Sequence, residues 1–176
     1  MISIGDGSKR TIQGILKPSN IYMEIFVVLA QILFNLIFFF NLTWLYSGEV
    51  IEMAELLGVC WLNIEGKIRT IDLSPGTEYE VVFVVKMNNE YQEYEWKNSV
   101  NLTIILPSSK PPIRSENLSG KPIGIWIDVK VGEFRMTPEN VGEITFKLSE
   151  YSSEWKGGLV LKCAIIRPKK DQPHGC

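Results

Sequence analysis

From residue 59 onward, apolar and polar positions alternate with a period of two. Within Glu78 to Met87, the residues Tyr79, Val81, Phe83, Val85 and Met87 share one face, while Glu80 and Lys86 share the other. That is the period of a strand with one buried side. Ile125, Ile127 and Val129 alternate with Trp126, Asp128 and Lys130 in the same way. Short runs rich in Val, Ile, Phe, Tyr and Trp recur at Val59 to Ile64, Lys67 to Ile71, Glu78 to Met87, Ser99 to Leu106, Gly124 to Val131, Glu143 to Leu148 and Leu159 to Arg167. Turn-forming clusters separate them at Ser74-Pro75-Gly76, Met87-Asn88-Asn89, Pro107 to Pro112, Thr137 to Asn140 and Lys156-Gly157-Gly158. The pattern predicts an all-β domain of about seven or eight antiparallel strands, a sandwich or a barrel. Glu49 to Leu57 is the one stretch of this part that reads as a short amphipathic helix.

The N-terminal part follows another rule. Residues 1–24 are polar and turn-rich, with no sustained period, and read as a lead-in. Residues 25–40 are apolar apart from Gln31 and Asn35, and the uncharged stretch runs on to Tyr46, longer than the roughly 20 residues that span a bilayer. Lys9, Arg10 and Lys17 before it, with Glu49 and Glu52 after it, would orient an uncleaved signal anchor with a cytoplasmic N-terminus. Residues 22–42 also have the composition that T-rich codons write, so translated intron is a second reading, and a buried strand and helix of the domain itself a third. The chain then divides into a polar lead-in (1–24), an apolar segment (25–46), a β domain (47–169) and a polar tail (170–176). Sequons stand at Asn41, Asn101 and Asn117, a pattern common enough to weigh little.

Composition removes whole classes of function. The chain is 45% hydrophobic and 22% charged with a formal net charge of −2, too apolar for a disordered segment. No basic run exceeds two residues, so the electrostatic footprint of a nucleic-acid binder is missing. The three cysteines, Cys60, Cys163 and Cys176, show no CxxC spacing, and the single histidine, His174, lies in the polar tail. Neither a zinc site nor a disulfide framework nor a histidine-based catalytic set can be assembled from them, and no cofactor is expected. Cys60 and Cys163 sit in apolar runs and read as core thiols.

Four ordered blocks then carry a resemblance. Met53-Ala54-Glu55-Leu56-Leu57-Gly58-Val59-Cys60-Trp61-Leu62-Asn63-Ile64-Glu65-Gly66-Lys67-Ile68 is similar to a block of the phloem protein 2, or Nictaba-type, lectins of plants. Leu73 to Met87, Gly124 to Phe134 and Trp155 to Lys169 resemble three further blocks of that family, in the same order. The resemblance covers about residues 50–169 and implies a jelly-roll β-sandwich of two antiparallel sheets, usually dimeric. It also implies binding of N-acetylglucosamine oligomers and N-glycan cores without catalysis, in the cytoplasm and nucleus. The apolar run 25–46 points instead to a membrane.

A sugar site needs aromatic faces for C–H surfaces and carboxylates or amides for hydroxyl and acetamido groups. By resemblance, Glu143 and Glu150 occupy the acidic positions, and Trp44 is what remains of a tryptophan-rich platform, with Leu42 where a stacking tryptophan is expected. Phe134, in the Gly132-Glu133-Phe134 turn, would border the groove or pack beneath it. The two glutamates are seven residues apart, so one site can use both only if the strand bends; a bulge near Ser149 is expected. A carboxylate-pair glycosidase would need them about 5–9.5 Å apart across a cleft. A domain whose sugar platform has degenerated would instead serve as a protein-interaction or membrane-tethered module. Trp61, Trp126 and Trp155 read as core or sheet-edge aromatics, and Trp96 as a surface-loop residue.

Overall fold

A computed structural model describes residues 9–13, 24–28, 39–46, 49–88, 96–109 and 112–169. The described residues form eleven strands: β1 (Lys9–Gln13), β2 (Glu24–Val28), β3 (Phe39–Tyr46), β4 (Glu49–Leu56), β5 (Leu62–Arg69), β6 (Glu78–Met87), β7 (Val100–Ile105), β8 (Arg114–Glu116), β9 (Trp126–Arg135), β10 (Glu143–Glu150) and β11 (Leu159–Pro168). Two short 3-10 turns, Thr70–Asp72 and Pro138–Asn140, join β5 to β6 and β9 to β10. One sheet has the order β1-β2-β5-β10-β7-β8 and the other β3-β4-β11-β6-β9, and every strand pair in both is antiparallel. The architecture is the jelly-roll-like β-sandwich that the sequence blocks imply.

Alternation builds the core. Tyr79, Val81, Phe83, Val85 and Met87 of β6 and Ile144, Phe146 and Leu148 of β10 are buried on facing sheets. The rings of Phe83 and Phe146 meet across the sandwich at 5.5 Å between centroids, a tilted aromatic pair that adds to its area burial.

Three expectations need correcting. Glu49–Leu56 is strand, not helix: it pairs with β3 along its full length and with β11 at Ala54 and Glu55. Met53, Ala54, Glu55 and Leu56 are all buried, so sheet pairing with burial on both faces overrides a weak helical period. Val59–Ile64 and Lys67–Ile71 are not two strands but one, Leu62–Arg69, running through Gly66. The glycine is no break: a β-carbon there would lie 2.2 Å from the Phe146 ring, so the strand keeps glycine where a neighbouring side chain crosses it. No bulge occurs at Ser149, since β10 pairs residue for residue with β5 and β7. The bulges fall at Val131 in β9 and Lys162 in β11.

The ends of the apolar segment, residues 24–28 and 39–46, are strands, so sheet pairing continues N-terminal to residue 47. Among the described residues no helix is long and apolar enough to cross a membrane. Residues 29–38, the polar tail and His174 lie outside the described residues.

Candidate functional site

Antiparallel register sorts the loops into two groups. The start of β5, the end of β10, the end of β6 and the starts of β9 and β11 share one end of the sandwich, tied together by Val59 and Lys156 exchanging both backbone hydrogen bonds at 2.8 and 2.9 Å. At this end the segments 57–61 and 151–158 run side by side. Trp61, Tyr151 and Trp155 project from them, 40%, 54% and 39% exposed. An exposed tryptophan pair and a tyrosine on adjacent loops present flat apolar faces with polar edges.

Between the two loops lies a buried ion pair. Glu150 and Lys156, with side chains 6% and 3% exposed, close on each other around residues 151–155. Lys156 Nζ also donates to the carbonyls of Cys60 and Glu154, the latter at 2.8 Å. The Glu150 carboxylate accepts the Ser152 N–H at 2.8 Å and the Ser152 hydroxyl at 3.1 Å. Burial works against its ionisation, but the Lys156 ammonium and the two Ser152 donors outweigh it and hold the carboxyl below its ordinary range. Every donor and acceptor of the pair has partners, the condition under which a buried charge is tolerated. The lysine thereby ties both loops to one point.

Two further contacts hold the 151–158 loop from behind. Trp96 is buried at 6% exposure and donates its indole N–H to the Gly157 carbonyl at 2.9 Å; the expected surface position for this tryptophan is corrected, because the loop gives its N–H a partner inside. Gly158 has φ +72°, and a β-carbon there would lie 2.6 Å from the Asn88 carbonyl, so only glycine makes this turn. Asn88 donates its side-chain amide to the Glu55 carboxylate at 2.7 Å.

The structure scatters the residues selected by resemblance. Glu143 opens β10 at the opposite end, exposed and bonded to Lys67 Nζ at 2.8 Å. Seven residues of rise separate it from Glu150 by roughly 23 Å, and Glu150 faces inward while Glu143 faces out. The pair therefore cannot serve one glycan contact or a glycosidase's two carboxylates. Phe134 is buried and stacks on Tyr79 at 5.8 Å between centroids, a packing role and not a groove border. Trp44 lies on β3 opposite Ile51, in the other sheet from Glu143 and Glu150. Cys60 and Cys163 are half-buried, not core thiols, and free.

Trp61 and Trp155 are exposed where a core or sheet-edge position is expected, and Tyr151 is a further exposed aromatic that period-two reading passes over. The signal was in the local composition: Tyr151-Ser152-Ser153-Glu154-Trp155-Lys156-Gly157-Gly158 places aromatics among turn formers, where no strand can bury them. Among the described residues no group of His, Cys, Asp and Glu could hold a metal ion.

Fold and site together define a β-sandwich domain with a loop-borne aromatic surface at one end. The model of the phloem protein 2 family matches residues 40–168, and the chain belongs to that family. It is 45% identical over 126 residues to Protein PHLOEM PROTEIN 2-LIKE A1 of Arabidopsis thaliana, covering 70% of this chain and 50% of that protein. It is 38% identical over 124 residues to a lectin of Luffa acutangula, covering 70% of this chain and 58% of that one. The chain thus spans between about half and three fifths of the length of these two relatives. Among solved structures it is similar to the xylan-binding domain of carbohydrate-binding module family 22, with a TM-score of 0.42 and 10% identity over 75% of this chain and 81% of that one.

Proposed function

We propose that this protein is a lectin that binds N-acetylglucosamine oligomers or N-glycan cores and leaves them chemically unchanged. The observation that carries the reading is the trio Trp61, Tyr151 and Trp155, held out from two loops by the buried Glu150–Lys156 pair. Such rings take the C–H faces of sugars, and the nearby Glu154 carboxylate and loop amides take hydroxyl and acetamido groups. Membership of the phloem protein 2 family and the likeness to the Luffa acutangula lectin support it. In this reading Glu150 acts as a positioning residue, which gives the acidic position of the family resemblance a role without sugar contact.

The test is glycan-array binding by the purified full chain. Chitooligosaccharides or N-glycans should bind, and Trp61→Ala, Tyr151→Ala or Trp155→Ala should each weaken binding about three- to tenfold, as loss of one stacking ring does. Folded protein that binds no glycan, or a triple variant that binds as well as the original, overturns the proposal.

A further inference from the structure

Trp155 and Lys156 run on into Gly157-Gly158, two residues of the type with the most backbone freedom to lose. Left to itself, such a hinge would let the exposed Trp155 ring wander. Three backbone groups of the glycine pair are instead taken by partners from other parts of the chain. The Trp96 indole N–H donates to the Gly157 carbonyl at 2.9 Å, the Asn88 N–H to the Gly158 carbonyl at 2.6 Å, and the Gly158 N–H to the Leu56 carbonyl at 2.7 Å. The hinge is thereby bonded to the end of β4, to the residue after β6 and to a buried ring before β7.

One of these partners is itself held by a buried side chain. Glu55, beside Leu56 on β4, is buried and accepts the Asn88 side-chain amide at 2.7 Å. Burying a carboxylate is costly, and a bonded one is retained where the bond does something for the fold around it. Here the bond fixes the residue that holds Gly158. Trp96 follows the same logic: a phenylalanine would fill most of its buried space, but only the indole N–H reaches the Gly157 carbonyl. Contacts of this kind order a loop on folding, so that binding need not order it again.

We propose that Trp96, Asn88 and Glu55 are positioning residues for glycan binding, which touch no sugar and set the place of Trp155 through the glycine hinge. The inference rests on the lectin reading and extends it to residues outside both aromatic loops.

The test is titration calorimetry of the full chain with a chitooligosaccharide, on variants that circular dichroism shows to be folded. Trp96→Phe, which keeps a ring and removes the N–H, should weaken binding about two- to tenfold, the range for one side chain whose ordering is deferred to binding. In a Trp155→Ala background the same substitution should cost nothing further, because a ring that is gone cannot be misplaced. Glu55→Gln still accepts the Asn88 amide and should bind as the original does. Glu55→Leu cannot, and should weaken binding as Trp96→Phe does; this second pair carries the test if Trp96→Phe fails to fold. Unchanged affinity in either folded Trp96→Phe or Glu55→Leu, or a loss that persists in full in the Trp155→Ala background, overturns this inference and leaves the lectin reading standing. An original chain that binds no chitooligosaccharide overturns both.

Discussion

Glu150 and Lys156 form a buried ion pair whose two members flank Tyr151 and Trp155 in the chain, so one electrostatic contact closes the loop that carries both exposed rings. Removing one partner leaves an uncompensated charge that burial makes costly. Glu150→Gln or Lys156→Met should each lower unfolding free energy by about 3–5 kcal/mol, whereas the double variant Glu150→Leu/Lys156→Met should be less destabilised than the sum of the singles. Urea denaturation of the three variants measures this. Additive losses would mean that the pair is not energetically coupled.

The same carboxyl sets an acid limit. Burial opposes ionisation of Glu150, yet Lys156 and Ser152 hold its carboxyl below the ordinary 4.5. Glu80, bonded to Arg167, and Glu133, bonded to Lys130, are lowered as well. A carboxyl lowered by folding stabilises fully above its unfolded value and loses that contribution as pH falls through the folded one. Stability should therefore hold from neutral pH to about 5 and decline below about 4.5, as these three protonate. Thermal melts across pH 3–7 check the window, and Arg167→Gln, which removes the main partner of Glu80 and leaves it Lys130, should flatten part of the acid slope.

The period-two reading caught the strands that have one dry and one wet face: β6 and β10 begin where the pattern places them, and β6 ends there too. It failed where the environment is not two-sided. β4 has consecutive buried residues at Met53 to Leu56, which alternation cannot distinguish from a helical face. β8 has three residues, too few to show a period. The site was harder to read than the fold. Resemblance marked Glu150, but its meaning depends on Lys156, whose burial comes from a loop closing back on the strand, and on Cys60, 96 positions away. Such a contact is set by tertiary closure and leaves no local pattern.

Gly66 is a packing position within β5. Its absent side chain makes room for Phe146, which is fully buried. Gly66→Ala should force that ring off its place and destabilise the domain by about 1–3 kcal/mol or more, the range for overpacked cores. Adding Phe146→Leu should recover part of the loss, because the shorter side chain clears the new methyl group. Denaturant midpoints of the single and double variants decide it; a neutral Gly66→Ala would show that the sandwich relaxes at this crossing.

Binding and stability should separate by position. Phe134 is buried against Tyr79, so Phe134→Ala should cost about 3–5 kcal/mol of stability, and any protein that still folds should keep its glycan affinity. Trp155 is exposed on the clamped loop, and Trp155→Ala should do the reverse, losing affinity while the denaturant midpoint barely moves. Glu143 is a third case. Its ion pair with Lys67 is exposed on both sides and worth at most about 1 kcal/mol, and it stands roughly 23 Å along β10 from Glu150. Glu143→Ala should therefore leave both stability and chitooligosaccharide affinity close to unchanged. A large loss of affinity with intact folding would move the sugar site to the opposite end of the sandwich, making Trp61, Tyr151 and Trp155 bystanders.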